Sequence, residues 1–131
     1  MFIAPDPRQF IGQVIGNGHC VAFVRLAANL PATATWRRGT PLQVASPTGL
    51  AIATFSQAGR YTNATDGSSH AAILLSVLSD GLLVIDQWVG QPVHERTIRF
   101  RDGRGPAAND GRRFFAITLE STRPTTQEES V

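Results

Sequence analysis

HAAILLSVLSDGLLVIDQWV, residues 70–89, contains two apolar runs joined by Ser79-Asp80-Gly81. The runs are apolar on successive residues, which marks short strands buried on both faces. Reading outward, Gly90-Gln91-Pro92 turns the chain into VHERTIRF, whose alternation fits a half-exposed strand. A polar loop from Arg101 to Arg113 then precedes a further strand, FFAITL. Upstream, Pro47-Thr48-Gly49 is a turn, Leu50 to Phe55 a strand, and Ser56 to Ser69 a polar, glycine-containing loop. These signals predict four to five strands in an antiparallel meander.

The N-terminal third has helical spacing instead. Asp6-Pro7 resembles a helix start, and Phe10, Ile11, Val14 and Ile15 follow at helical intervals before Gly16. Asn17-Gly18-His19 reads as a tight turn. A second helix is expected from about Cys20, with Val21, Val24 and Ala28 on one stripe and Pro31 as its stop. Helices followed by strands give an α+β class. Residues 1–120 are expected to form one domain, and the polar tail, 121–131, to be disordered.

Composition narrows the function classes. The chain has 131 residues, 42% of them hydrophobic, enough for one core. All twelve basic residues are arginine, and six lie between Arg96 and Arg113. That cluster suits either an anionic polymer or a solvated rim. No nucleic-acid motif with interleaved aromatics accompanies it, so a nucleic-acid partner is not expected. The longest apolar run is far below the roughly 20 residues of a membrane helix, and membrane insertion is not expected either. The start, MFIAPDPRQF, has no basic region followed by an apolar core. A chain made in the cytoplasm without a signal peptide is therefore expected. With a single cysteine, no disulfide forms within the chain and the thiol is available for chemistry.

A thiol attacks as thiolate, and the positive end of a helix lowers its pKa. Cys20 sits where that effect operates, in the first turn of a helix. His70 opens a buried strand after a loop, so the sheet can hold its backbone while its ring faces a cleft. A base of this kind needs a polar partner to fix its tautomer. Asp86-Gln87 interrupts the next apolar run. A two-residue turn at Asp80-Gly81 places Gln91 opposite His70; a six-residue loop from Ser76 to Gly81 places Gln87 there. Asp86 reaches the face of His70 only through a bulge or a one-residue shift. Asp86 and Gln87 thus remain alternatives for the third member.

GHCVAFVRLA, followed by Trp36 and Gly39, resembles the opening of CHAP-type amidase domains, and SHAAILL with LLVIDQW is similar to their second half. The resemblance spans roughly residues 16 to 100. It implies a papain-like fold of the CHAP and NlpC/P60 kind: N-terminal helices packed on an antiparallel sheet of four to five strands. It implies Cys20 as nucleophile, His70 as base and Asp86 as orienting residue, with no cofactor. Members of the family commonly cleave amide bonds in peptidoglycan peptide stems, which makes the peptide stem the expected partner. Where the family often has an asparagine two residues after the acid, this chain has Trp88. The small size also resembles amidase effectors of type VI secretion, which implies action in a target cell's periplasm and a cognate immunity protein as a second partner.

Other readings compete at each position. A lone cysteine is commonly a buried small hydrophobe, which would make this a non-catalytic binding domain. A toxin that deamidates or acylates protein would use the same three residues. His19, His70 and His94 lack metal-ligand spacing, so no metal is expected. Trp36 and Trp88 suit either the core or a substrate platform, and Gln13 either a solvent-facing helix or an oxyanion contact.

Overall fold

The computed structural model describes residues 1–120; the expectation for the tail falls outside the described residues. One α-helix, α1 (Cys20–Ala28), packs on a six-stranded antiparallel sheet. The strands are β1 (Trp36–Pro41), β2 (Ala51–Thr54), β3 (Ala71–Val77), β4 (Gly81–Trp88), β5 (Gln91–Arg99) and β6 (Phe114–Leu119). Their order is β1-β6-β2-β3-β4-β5. β2 to β5 form the expected meander, while β6 returns to lie beside β2 and carries β1 on its outer edge.

Two expectations are corrected. The helix anticipated over Asp6 to Gly16 is a single 3-10 turn, Pro7–Phe10. Backbone pairing takes the rest: Gly12 N–H donates to the Val93 carbonyl at 2.8 Å, and Val93 N–H donates to the Gln13 carbonyl at 2.9 Å. A segment hydrogen-bonded to the edge of β5 cannot also close helical bonds. There is therefore one helix where N-terminal helices were expected. The sheet has six strands where four to five were expected, because β1, WRRGTP, carries almost no apolar signal. Gly39 explains why it pairs at all: a Cβ there would lie 2.6 Å from the Ala116 carbonyl oxygen.

The helix ends earlier than Pro31 implies. Asn29 turns left-handed at φ 57°, and Leu30 N–H returns to the Arg25 carbonyl at 3.0 Å. Its buried face is Phe23, Val24, Ala27 and Ala28, which contains the predicted Val24 and Ala28, with Val21 partly buried against the same core. That face covers Ala71, Ile73, Ile85 and Val93 in the larger core cluster. Burying Phe23 alone contributes about 1.5–3 kcal/mol. The opposite sheet face holds a second cluster, including Ile52, Leu74, Val84, Ile98 and Phe114.

Register decides which polar residue faces which side. Ile73 pairs Ile85 and Leu74 pairs Val84, before a bulge moves the pairing to Ser76 and Leu83. Counting by twos from Val84 puts Asp86 on the second face; counting from Ile85 puts Gln87 on the helix face. On β5, His94 pairs directly with Asp86, and Arg96 follows on the same face.

Candidate active site

The turn before α1 is built for a sharp entry. Gly16 and Gly18 both have positive φ, 58° and 86°. A Cβ on Gly16 would lie 2.9 Å from that of Ala22, so only glycine fits beside the helix. The Asn17 side chain accepts from His19 N–H at 3.1 Å, and α1 begins at the next residue. Cys20 thereby occupies the first helical position, partly buried.

His70 is pinned through its backbone. Its N–H donates to Thr54 Oγ1 at 3.0 Å, and its carbonyl accepts from Thr54 N–H at 3.0 Å. The ring is buried at the start of β3, edge-on to Phe114 and Trp88. Its Nε2 lies 2.7 Å from Asp86 Oδ2. Cys20 and His70 line one groove, and the imidazole beside the thiol draws its pKa down. The structure therefore brings Cys20, His70 and Asp86 together.

Gln87 is placed elsewhere. Its Nε2 donates to the carbonyls of Ile15 and His19 at 2.9 and 2.8 Å, and its Oε1 accepts from Ile15 N–H at 3.0 Å. With every side-chain atom committed to the turn that leads into α1, it has none for His70. Of the two alternatives for the third position, Asp86 alone meets the imidazole.

Three contacts around this row were not anticipated. Arg96 directs Nε and Nη2 at Asp86 Oδ2 at 2.9 and 2.8 Å. His94 Nε2 lies 3.0 Å from Asp86 Oδ1, although neither atom has a well-directed hydrogen bond. The Tyr61 hydroxyl lies 3.8 Å from Cys20 Sγ, with its ring against Trp36 and Phe55. The alternation of VHERTIRF placed His94 and Arg96 on one face, but only the register shows that the face is that of Asp86. Nothing in the polar loop around Tyr61 marks that residue.

The electrostatics follow from these contacts. Burial raises the Cys20 pKa, but the His70 hydrogen bond and charge, the Ala71 N–H and the Tyr61 hydroxyl outweigh it, leaving the thiol below its ordinary value. Burial lowers the His70 pKa; hydrogen bonds to Asp86 and Cys20, with their charges, reverse this and lift it to about 9. Burial raises the Asp86 pKa, and His70 with Arg96 brings it below the usual carboxylate range. Burial and the neighbouring Cys20 both push the Tyr61 phenol upward, so it keeps its proton. The arrangement favours thiolate facing imidazolium, with a neutral phenol donor beside the sulfur.

The row opens to solvent. A groove of about 290 Å³ is lined by Cys20, His70, Trp88, His19 and, from the loop, Tyr61, Asn63, Thr65 and Ser69 among others. A larger hollow of about 410 Å³, around Leu42, Val77, Phe100 and Phe114, has neither cysteine nor histidine in its wall. Trp36 is fully buried, whereas Trp88 is 40% exposed at the groove. Gln13 donates its amide to the Gln9 carbonyl and does not line the groove. Among the described residues, no three His, Cys, Asp or Glu side chains are arranged to hold a metal ion.

Residues 2–117 match the family described as Domesticated amidase effector 2. The chain belongs to that family. A relative named Domesticated amidase effector 2, from Ixodes scapularis, is 39% identical over 87% of this chain and 82% of its own length. The Type VI secretion amidase effector 2 protein of Salmonella typhi is 34% identical over 74% of this chain and 76% of its own. The solved structure titled Type 6 secretion amidase effector 2 (Tae2) superposes with a TM-score of 0.78. It is 25% identical to this chain, and the match covers 93% of this chain and 97% of that one.

Proposed function

We propose that this family member is a cysteine amidase that cleaves amide bonds in bacterial peptidoglycan peptide stems, through an acyl-enzyme on Cys20. The observation that carries the proposal is that Cys20 and His70 line one open groove while the buried Asp86 holds the His70 ring from behind at 2.7 Å. The amidase names of the relatives support the reaction class.

In this mechanism the Cys20 thiolate attacks the amide carbonyl and the oxygen takes up negative charge. The Tyr61 hydroxyl, 3.8 Å from the sulfur, is the neighbouring donor that this mechanism assigns to that oxygen. His70 gives its proton to the departing amine, leaving a thioester. Water then attacks the thioester, His70 takes a proton from it, and the acid leaves as thiolate and imidazolium are restored. Asp86 orients the ring and compensates its charge throughout.

The mechanism is papain-like and belongs with the CHAP and NlpC/P60 enzymes. Delivery to a target cell's periplasm, and restraint by a dedicated immunity protein, are parts of the same proposal, drawn from the type VI secretion name of one relative. No helix among the described residues is long and apolar enough to cross a membrane.

The test is incubation with purified peptidoglycan, read by mass spectrometry. Wild type is expected to release fragments carrying new amine and carboxyl ends, and Cys20→Ala to release none. Release at equal rates by both proteins overturns the cysteine mechanism, and intact stems with wild type overturn the substrate.

A further inference from the structure

The groove beside Cys20 continues past His70. A second cleft of about 200 Å³ is lined by His70, Trp88, Arg96, Ala108 and Asn109. His70 and Trp88 line both hollows. A peptide lying across Cys20 can therefore pass over these two rings into the second cleft.

The polar groups of this cleft are mostly donors. Arg96 spends Nε and Nη2 on Asp86, leaving Nη1 without a partner among the described residues. Its guanidinium is held 4.9 Å over the Trp88 ring, which fixes its direction. The carbonyl of Asn109, a lining residue, accepts from Arg101 Nε at 3.0 Å, which holds a second guanidinium beside the cleft. No described acidic side chain pairs with Arg101. The nearby carboxylate, Asp86, is fully buried and engaged by His70 and Arg96. Fixed cationic donors beside an exposed indole suit a carboxylate attached to an aliphatic chain.

We propose that this cleft is a carboxylate subsite, in which Arg96, with Asn109 in the lining and Arg101 beside it, binds a free carboxylate flanking the scissile amide. The proposal rests on the amidase reading and sharpens it: the substrate is a peptide stem with an unmodified acid at that position. An arginine that served Asp86 alone would change turnover without distinguishing an acid from its amide.

Binding separates the two ideas and does not depend on turnover. The Cys20→Ala protein is titrated calorimetrically with two synthetic stem peptides, identical except that one flanking carboxylate is a carboxamide in the second. A preference of about tenfold or more for the acid is expected, the scale of one charge-assisted hydrogen bond. Adding Arg96→Gln should bring the ratio close to one. Asn109→Asp, which leaves the Arg96–Asp86 contact untouched, should also remove the preference by setting a competing carboxylate in the cleft. Equal affinity for both peptides, no binding to either, or a preference that survives both substitutions overturns the subsite. Failure of the amidase reading shows separately, as peptidoglycan left intact by the wild-type protein.

Discussion

Gln87 Nε2 donates to the His19 carbonyl at 2.8 Å, so the residue after Asp86 holds the residue before Cys20. Strand alternation sends the two neighbours to opposite faces of β4: Asp86 to the imidazole and Gln87 to the turn that starts α1. One strand end thus sets both the direction of His70 and the height of Cys20. The spacing between the two depends on the backbone of β4, which is hydrogen-bonded on both sides, to β3 and to β5.

Replacing Gln87 with alanine should therefore damage the site from the Cys20 side. It leaves the partly buried Ile15 N–H without its acceptor, while the Ile15 and His19 carbonyls lose one of their two donors and keep the backbone N–H groups of Gly18 and Ala22. A buried donor left unpaired costs about 1–3 kcal/mol. Thermal unfolding should show the protein destabilised, and peptidoglycan turnover should fall together with the alkylation rate of Cys20. Full stability in Gln87→Ala would mean that the turn is held by other contacts.

The thiolate itself can be titrated. With its pKa lowered, Cys20 should react with iodoacetamide at a rate that has already levelled off below the free-thiol value of about 8.5. His70→Ala removes the hydrogen bond and charge that outweigh burial, so the inflection should move upward, beyond that of a free thiol. An inflection left unmoved by His70→Ala would show that the helix terminus, rather than the imidazole, activates the sulfur. In turnover, the rising limb with pH should follow Cys20. The falling limb should lie near the His70 value of about 9, where the acid for the leaving amine is lost.

Much of this site was legible in the sequence because its key residues break local patterns. Cys20 follows a glycine turn, His70 opens an apolar run, and Asp86-Gln87 ends one. The choice between Asp86 and Gln87 was not legible, since it turns on a bulge between Leu74 and Ser76 that no residue announces. The N-terminal helix failed for a related reason: Phe10, Ile11, Val14 and Ile15 have helical spacing, but the edge of β5 offers their backbone a competing partner. Tyr61 was hidden because a loop residue's contacts come from tertiary placement alone. The arginine-rich stretch read as one patch, yet Arg96, Arg99 and Arg112 are each spent on a different aspartate.

Asp86→Asn keeps the shape of the side chain while removing its charge. The imidazolium then loses its buried counter-charge, and Arg96 loses the same partner. Turnover should fall by about 10²–10⁴-fold, the scale of lost acid–base catalysis. Acid stability gives an independent readout. The folded pKa of Asp86 lies below 3.8, so its contribution is complete above that value and is lost as pH falls through the folded one. The wild-type protein should lose stability over that acid range, and Asp86→Asn should lack this part of the slope. Identical acid-unfolding curves would show that the carboxylate is not held ionised by His70 and Arg96.

Tyr61→Phe isolates one hydroxyl. The ring is buried and packs on Trp36 with centroids 5.0 Å apart, a contact that phenylalanine retains. The phenol's recorded polar contact is with Cys20 Sγ. Stability should therefore change little, while two kinetic effects separate the possible uses of the hydroxyl. If it serves the oxyanion, kcat should drop by about 10²–10³-fold, as for other lost oxyanion donors, with the alkylation profile of Cys20 nearly unchanged. If it serves the resting thiolate alone, the alkylation inflection should rise and kcat at alkaline pH should recover. Wild-type kcat in Tyr61→Phe would remove the hydroxyl from the mechanism.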